Sequence, residues 1–564
     1  IGNDFTSLGI EDKRYNEYSL AYNSGGTSTG SYSITKGNYS ITYGDALLTY
    51  ADKLTSDFDF SLTGGFQSRS ENYNDQFAGT KDGLISENWF ALSNSVGTID
   101  NGLDVNVPKT RRQSLLKYAY LGIANISYKD FLFVEATGRS EYSSTLPSQN
   151  NNYGYMSVNS GFIFSEAFKL PEPISYGKLR ASYGIVGNDA PVYRSNIAYS
   201  QTPLQTVNGS VPSLTLRSDY GNTGLKPERK YEVELGTEMR FLSNRVGFDV
   251  SYYSNHIQDQ ILSLTTAPSA GANSQLVNVG RISNKGLAVS ITGTPILSDN
   301  FRWNTRLNFS RNSARLDYLN GAVPELIFFE ADQSSVKISA RPGEPLGNIY
   351  VYPRQTNANG EYLISDDGLY IMDTNPENFK KVGNIMPKAI GGLSNTFSYK
   401  NISLDFTVDY RFGGQLVSPP LKYGTAAGLF ESTLEYRESG ITLPGVNATT
   451  GQPNTVKLDG EAYYFNTFQW GNTGLNEEGM IYDNSYVKMR EAVIGYTFDS
   501  KIARKIGMNN LRFSLIGRNL FYFWKTIENL DPEAPVGNQW FSQGVDFGST
   551  AATRSFGISL NANF

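Results

Sequence analysis

The chain has no cysteine and a single histidine, His256, among 564 residues. Without cysteine, neither a disulfide scaffold nor a thiolate metal site can form, and one imidazole is too few for a typical zinc or haem centre. A hydrolase of the Ser-His-acid type would have to use His256, which is interpreted as an ordinary loop residue after a strand. The sequence therefore predicts no enzymatic chemistry, no metal and no cofactor.

Charge and long apolar runs are also scarce. Charged residues make up 18% of the chain, and the net charge is −6 with no basic block, which argues against nucleic-acid binding. No run of ~18 apolar residues occurs, so the sequence contains no helical membrane span. What the chain has instead is aromatic residues at 13%, mostly tyrosine and phenylalanine, together with 55 glycines. That mixture suits long strands, tight turns and the aromatic belts of a membrane barrel.

The clearest pattern is a hairpin at 231–253, which reads YEVELGTEMRFLSNRVGFDVSYY. In its first arm, apolar residues such as Val233 and Leu235 alternate with charged residues such as Glu232 and Glu234, and the second arm repeats the alternation. Period-two alternation over about ten residues per arm indicates antiparallel strands long enough to cross a bilayer at a tilt. We expect one face to contact lipid and the other to line a wet lumen.

Similar segments recur along the chain and give roughly 15–17 strands. Short turns, such as those at 128–130 and 400–401, alternate with long polar stretches, of which 68–112 and 313–387 are examples. Outer-membrane barrels have this asymmetry. A soluble β-sandwich is the alternative, but its strands would be shorter. The predicted fold is all-β, a large antiparallel transmembrane β-barrel.

Several ordered segments resemble one family. They are SYGKLRASYGIVGND at 175–189, the run NTGLKPERKYEVELGTEMRF that opens 222–262, NVGRISNKGLAVSITGTPI at 278–296, VGNIMPKAIGGLSNTFSYKNISLDFTVDYRFGG at 382–414, SYVKMREAVIGYTF at 485–498, GRNLF at 517–521 and DPEA at 531–534. Together they resemble the SusC/RagA-like TonB-dependent transporters of Bacteroidota outer membranes.

The resemblance implies energised import of large nutrients, oligosaccharides or peptides, through a plugged barrel of about 22 strands. It implies two protein partners, a SusD-like surface lipoprotein and the TonB–ExbB–ExbD energy system. The sequence shows no plug domain and no TonB-interacting segment. We therefore expect residues 1–564 to form the C-terminal, partial barrel of a longer protein, with long extracellular loops. A passive porin, or a structural barrel of an adhesin or secretion complex, stays an alternative.

Charged residues on the polar parity of the strands are predicted to line the lumen, because each would cost ~2–4 kcal/mol against lipid. They are Lys178, Arg180, Glu232, Glu234, Glu238, Arg240, Asp249, Arg302, Arg306, Asp405, Asp409 and Arg411. Cross-strand pairing and contact with a plug is the preferred role, and direct contact with cargo is the alternative.

Aromatic residues in the long loops are candidates for substrate binding, since a ring gives broad contact area at low entropy cost. They are Tyr193, Tyr199, Tyr350, Tyr352, Tyr463 and Trp470. The same residues could pack the loops together or against a lid protein. The acidic turn Asp366-Asp367-Gly368 is interpreted as solvated, with a loop calcium as the alternative.

The final segment, RSFGISLNANF, alternates apolar and polar residues up to Phe564. A terminal phenylalanine on such a strand resembles the signal that the outer-membrane assembly machinery reads. The location predicted for the chain is the outer membrane of a Gram-negative cell, with outer-membrane lipid around it.

Overall fold

The computed structural model describes residues 2–14, 29–97, 109–196, 199–206, 209–216, 219–265, 274–319, 324–331, 335–468, 477–535, 537, 539–548 and 550–563. Its main feature is a sixteen-stranded sheet in which every strand is hydrogen-bonded to its neighbours in the sequence. The strands are β1 (Gly2–Arg14), β2 (Ser31–Thr55), β3 (Phe58–Gly79), β4 (Lys109–Tyr128), β5 (Leu132–Ser143), β6 (Asn152–Phe162), β7 (Ile174–Asn188), β8 (Glu228–Phe241), β9 (Val246–Gln258), β10 (Arg281–Leu297), β11 (Phe301–Tyr318), β12 (Ala389–Tyr399), β13 (Ile402–Phe412), β14 (Tyr486–Thr497), β15 (Asn510–Lys525) and β16 (Ser555–Asn563). This confirms the predicted fold class and strand number.

Tight turns of two to four residues join β2–β3, β4–β5, β8–β9, β10–β11 and β12–β13, whereas the segments that join β6–β7 and β14–β15 contain the short helices Phe164–Ala167 and Ser500–Lys505. Lys129 and Asp130 have φ values of 46° and 57°, and Lys400 has a φ of 50°. Positive φ in a two- or three-residue connection is the backbone conformation that matches the right-handed twist of a hairpin. The turns predicted at 128–130 and 400–401 are therefore present.

The other connections are long, as at 189–227, 319–388 and 413–485. One predicted loop is wrong in its bounds. The polar stretch 68–112 was expected to be a loop, but β3 continues to Gly79 and β4 begins at Lys109. Polar residues pair across this extension, where Arg111 contacts the buried carboxylate of Asp75 at 2.6 Å. Ion pairing thus replaces apolar alternation as the interaction that holds these strand ends.

The chain forms two compact units. The first contains residues 1–160, 182–231 and 257–279, and the second contains residues 161–181, 232–256 and 280–564. In the first unit, Leu146, Tyr153, Ala190 and Leu225 form a small apolar cluster. The first unit also has the hairpin Tyr199–Thr206 with Gly209–Leu216, the three strands Asp219–Tyr220, Ser274–Asn278 and Ile261–Thr265, and the pair Lys81–Leu84 with Ser95–Gly97.

In the second unit the register separates the two faces of the sheet. Directly opposed residues of an antiparallel pair lie on the same face. One row of such residues crosses β11 to β16 and contains only large apolar side chains. Its members are Trp303, Phe397, Leu404, Ile494, Leu515 and Ile558.

This apolar face is exposed. Ile494 is 57% exposed and Ile558 is 72% exposed. The adjacent row on the opposite face contains polar groups such as Asn304, Thr396 and Asp405. Soluble proteins rarely expose contiguous apolar patches beyond a few hundred Å², so this face needs an apolar environment.

The long connections of the second unit are folded. Leu326–Ala331, Val336–Ala340, Asn348–Val351 and Lys380–Asn384 form a four-stranded antiparallel sheet. One face of this sheet packs into a closed core. The buried members of that core are Val336, Ile338, Ile349, Val351, Ile385, Val417, Met480 and Val545.

Helices are short. They are α1 (Phe164–Ala167), α2 (Pro419–Ala426), α3 (Gly460–Phe468) and α4 (Ser500–Lys505), with 3₁₀ turns at Leu92–Asn94, Pro376–Asn378, Glu431–Leu434, Glu477–Met480 and Trp540–Gly544. Two-stranded pairs join Leu363–Ile364 to Val446–Asn447 and Gln415–Val417 to Ile481–Asp483. Within the described part of the chain, no helix has the length and apolar character required to cross a bilayer.

We expect Ile494→Arg to destabilise the folded protein in lipid vesicles by ~2–4 kcal/mol, because the guanidinium would face hydrocarbon. Val493→Arg is the matched control, since residue 493 lies on the opposite face directly across from Asp405. Urea unfolding of the two variants in vesicles measures the difference. Equal stability of both variants would show that lipid does not cover the apolar face.

Candidate functional site

The polar face of the second unit contains a recess of about 630 Å³. Asp249 and Ser251 of β9 lie on one side of it, and Asp409 and Arg411 of β13 lie on the other. Three strands separate β9 from β13 in the sheet. Side chains this far apart in the sheet can share one recess only if the polar face is concave in this unit. Three residues predicted from the sequence as lumen-lining are therefore brought together.

On the β9 side, an ion pair fixes the carboxylate. Arg180 of β7 donates two hydrogen bonds to Asp249, at 2.9 Å from Nη1 and 2.7 Å from Nη2. Glu238 lies 3.9 Å from the same guanidinium and 2.7 Å from Arg240, which stacks over the ring of Tyr176. The planar two-bond contact holds Asp249 in one orientation at the edge of the recess.

On the β13 side, a larger network includes a residue from a distant loop. Arg490 of β14 donates from Nε to Asp409 at 2.5 Å and also to the carboxylate of Glu533. Lys488, which is 2% exposed, donates to Oε2 of Glu533 at 2.5 Å, and the same oxygen accepts from Nη1 of Arg490. Tyr486, which lines the recess, donates to Glu533 at 3.1 Å.

Glu533 therefore holds the 526–554 connection against the end of β14. Burial by itself raises the pKa of Glu533, but hydrogen bonds and positive charge from Arg490 and Lys488 outweigh burial and lower the pKa from 4.5 to about 2. Next to it, Asp531 accepts hydrogen bonds from Tyr522 and from the backbone N–H of Ala552 at 2.9 Å. These contacts fix 531–533 next to Tyr486 and Asp409, which line the recess.

Arg411 has no carboxylate partner among the described residues. Its Nη2 donates to the carbonyl of Ile385 at 3.1 Å, and its Nε is buried without a partner among the described residues. Asp405, predicted on the same face, lies 3.6 Å from Arg512. The same Nη2 of Arg512 donates a hydrogen bond to the hydroxyl of Ser403 at the shorter distance of 2.7 Å.

The remaining predicted lumen residues make fewer contacts. Glu232 accepts a bond from Asn255 at 2.9 Å, and Arg302 donates to Asn304 at 3.0 Å. Arg306 lines a second polar recess of about 390 Å³ near Asn244 and Arg245. The others are Lys178 and Glu234, which lie on β7 and β8. Lumen exposure of the whole set stays a prediction.

The aromatic residues predicted to bind substrate occupy different environments. Tyr193 and Tyr199 are 51% and 61% exposed. Tyr350 is a strand residue of the four-stranded sheet and is 1% exposed, which places it in the packing rather than on the surface. Tyr352 stacks on Phe379 at 4.3 Å between ring centroids.

Tyr463 lies on α3 and packs against the rings of Tyr436 and Tyr464. Burial raises the pKa of Tyr463 to about 12, so its hydroxyl stays protonated. Trp470 and the terminal Phe564 lie outside the described residues. Their predicted roles in substrate binding and barrel assembly stay predictions.

His256 and the acidic turn at Asp366 are the remaining residues considered from the sequence for catalysis or metal binding. His256 was interpreted as a loop residue, but β9 continues to Gln258, so it is a strand residue. Asp366 of the acidic turn accepts hydrogen bonds from Asn447 at 2.9 Å and Thr449 at 3.3 Å. Among the described residues, no three acidic or imidazole side chains are close enough together to hold a metal ion.

The contact between Lys488 and Glu533 is not predictable from the local sequence. The DPEA segment was noted only as a family signature, and a glutamate in a loop gives no sign of which strand it contacts. The available signal was the charged residues Lys488 and Arg490 in β14, which need carboxylate partners if they are buried.

We expect Glu533→Gln to lower the free energy of unfolding by about 3 kcal/mol, because it leaves the buried ammonium of Lys488 without a charged partner. Glu491→Gln is the matched control. It breaks an exposed pair with Arg518 and should cost less than about 1 kcal/mol. Denaturant unfolding of both variants in detergent measures the two losses. Equal losses of unfolding free energy would mean that the buried network stabilises the protein no more than an exposed ion pair does.

The same contacts predict a pH dependence. Because the pKa of Glu533 is lower in the folded state than its ordinary 4.5, its stabilising effect is complete above about pH 5. The effect is lost as the pH falls from 4.5 to about 2. Unfolding followed across this range should show a steeper acid loss in the wild type than in Glu533→Gln, and parallel curves would contradict the assignment.

Comparison with known proteins identifies the family. The family model described as TonB dependent receptor-like, beta-barrel matches residues 2–520. TonB-dependent receptor P3 of Formosa agariphila is 25% identical over 538 residues, covering 89% of this chain and 50% of the relative. TonB-dependent receptor SusC of Bacteroides thetaiotaomicron is 22% identical over 475 residues, covering 79% of this chain and 43% of SusC. The chain thus spans about half the length of the curated relatives it matches.

Solved structures show the same fold. A structure of the RagAB peptide transporter superposes with a TM-score of 0.72 at 17% identity, covering 99% of this chain and 58% of the other. The open-open state of the RagAB peptide importer gives a TM-score of 0.73 at 18% identity, covering 100% and 58%. Together with the match over residues 2–520, these findings show that the chain belongs to the TonB-dependent receptor-like β-barrel family, a family of outer-membrane transporters and receptors.

Proposed function

We propose that this chain is part of a transporter that imports oligosaccharides or peptides across the outer membrane. A SusD-like surface lipoprotein is its partner, and the TonB–ExbB–ExbD system supplies the energy. The observation that carries this proposal is the concave polar face of a family barrel sheet whose opposite face is apolar and exposed. Lipid covers the apolar face, and the polar face lines the path of the cargo.

Mixed charge on the polar face supports a cargo that is neutral or variable in charge. Carboxylates such as Asp249 and Asp409 are each held by an arginine, so neither sign dominates the recess. A wall in which charges neutralise one another produces a weak net field and binds no strongly charged ligand tightly. The twelve charged residues predicted from the sequence act in this proposal as the wall, and their first role is cross-strand pairing.

The long connections supply the cargo and partner surfaces in this proposal. The exposed rings of Tyr193 and Tyr199 and the aromatic cluster around Tyr463 offer broad, rigid contact area. The description of RagAB as a peptide transporter supports the peptide class of cargo. Tyr350 is buried and acts here as a packing residue.

Uptake in cells tests the function directly. Deletion of the intact gene should abolish accumulation of a labelled oligosaccharide or peptide, and disruption of TonB should do the same. Purification in detergent should yield a surface lipoprotein bound to the intact protein. Uptake that continues without TonB would replace this proposal with a passive porin, and normal uptake in the deletion strain would leave a structural barrel.

A bulky residue in the recess tests the wall. Asn308→Trp places an indole in the recess, and we expect it to slow uptake several-fold because the path narrows. Leu307→Trp is the control, since residue 307 lies on the apolar face of the same strand. Uptake rates are compared at equal surface expression of both variants. Equal rates in the two variants would show that cargo does not pass this part of the wall.

A further inference from the structure

The segment 353–373 contains an arginine without a charged partner. Arg354 lies in a small folded region whose core consists of Ile364, Tyr370, Leu443 and Leu458. Short ladder contacts hold this region together, such as the one that pairs Arg354 with Met372. The position of Arg354 is therefore fixed by backbone pairing and not by its own charge.

The guanidinium of Arg354 lies over two tyrosine rings. Its Cζ is 4.3 Å from the ring centroid of Tyr370 and 5.5 Å from that of Tyr362. The two rings meet edge to face at 5.4 Å. An arginine stacked in this way keeps its planar set of donors in one orientation, so a planar acceptor can bind at little entropy cost.

No described residue accepts a hydrogen bond from this side chain or forms an ion pair with it, and the buried Nε has no partner. Arg437, in the same part of the second unit, shows the usual situation. Its Nη2 donates to the carbonyl of Gly428 at 2.6 Å, and its Nε donates to that of Thr433 at 3.3 Å. A half-buried arginine that lacks such acceptors has unused donors.

Three of the four carboxylates on the same segment accept hydrogen bonds elsewhere, and the fourth, Asp367, makes no ion pair with Arg354. Glu361 accepts from Asn357 at 2.9 Å, and Asp366 accepts from Asn447 at the same distance. Asp373 accepts from Asn378 at 2.6 Å. The charge of Arg354 is thus available to a group from outside the segment.

We propose that Arg354, supported by Tyr362 and Tyr370, is a binding site for a carboxylate group of the cargo. Arginine binds a carboxylate through two parallel hydrogen bonds, a geometry that the stacked guanidinium already has. Tyr362 is 39% exposed, whereas Tyr370 is 9% exposed and the Nε of Arg354 is buried, so the carboxylate approaches from the side of Tyr362 and binds the two Nη atoms. Tyr463 packs against the same core and helps to hold Tyr370 in place. This inference rests on the proposed import function, because it assigns the carboxylate to the cargo.

Both an acidic sugar and a peptide C-terminus provide this chemistry. The probes are therefore trigalacturonic acid with its methyl ester, and trialanine with its amide. Binding to the intact protein in detergent is measured by calorimetry. At least one acid should bind roughly tenfold or more tightly than its neutral counterpart. The pair that shows the difference identifies the source of the carboxylate.

Arg354→Gln should remove this preference, whereas Lys457→Gln, which removes one positive charge from an exposed position of the same region, should keep it. Arg354→Lys retains the charge but loses the planar donors, so it should keep only part of the preference. Thermal unfolding checks that each variant is folded. The proposal is overturned if neither acid is preferred by the wild type, or if the preference survives in Arg354→Gln.

Uptake of the same probes by cells that express the wild type or Arg354→Gln separates the Arg354 site from the import function. Import of neutral cargo without any acid preference would remove the Arg354 site and leave the import function. If the wild type binds the acid more tightly and Arg354→Gln does not, the binding site is supported. If that same wild type imports none of the probes, the import function is removed while the site remains.

Discussion

Backbone hydrogen bonding in a strand that borders lipid is the constraint on which the rest of this structure depends. Hydrocarbon offers no partner to an N–H or C=O group, so each strand must satisfy these groups on its neighbours. The sheet meets that demand in the simplest way, because all sixteen strands pair in sequence order through tight turns or long connections. Register then follows from the apolar alternation, since a shift of one residue would turn every charged side chain toward lipid.

The same register explains the polar face. Once one parity is apolar, charged residues gather on the other, where a concave surface brings strands as far apart as β9 and β13 around one recess. Charges concentrated there need partners, and most find them across strands, as Arg180 does with Asp249. The contact of Glu533 with Lys488 and Arg490 extends this pairing to a loop, which ties the long connection to the strand ends.

The long connections between strands are folded and contain packed cores of their own. They contain a four-stranded sheet with a closed apolar core, so their surface residues are held in place by packing and not only by the strands. A second apolar cluster, which contains Ile364 and Tyr370, supports Arg354 over two rings, and backbone pairing with Met372 fixes its position. Sites on such supported loops can bind a ligand without the entropy cost of ordering a flexible segment.

The sequence by itself determined the strand class, the approximate strand number, and the turns at Lys129 and Lys400. These follow from local rules, chiefly the period of two and the backbone preferences of turns. Only the tertiary structure decided that β3 and β4 extend into the polar stretch 68–112, that Tyr350 is buried, and that Glu533 contacts Lys488. Each of these depends on contacts between residues far apart in the chain, and local alternation carries no information about such contacts.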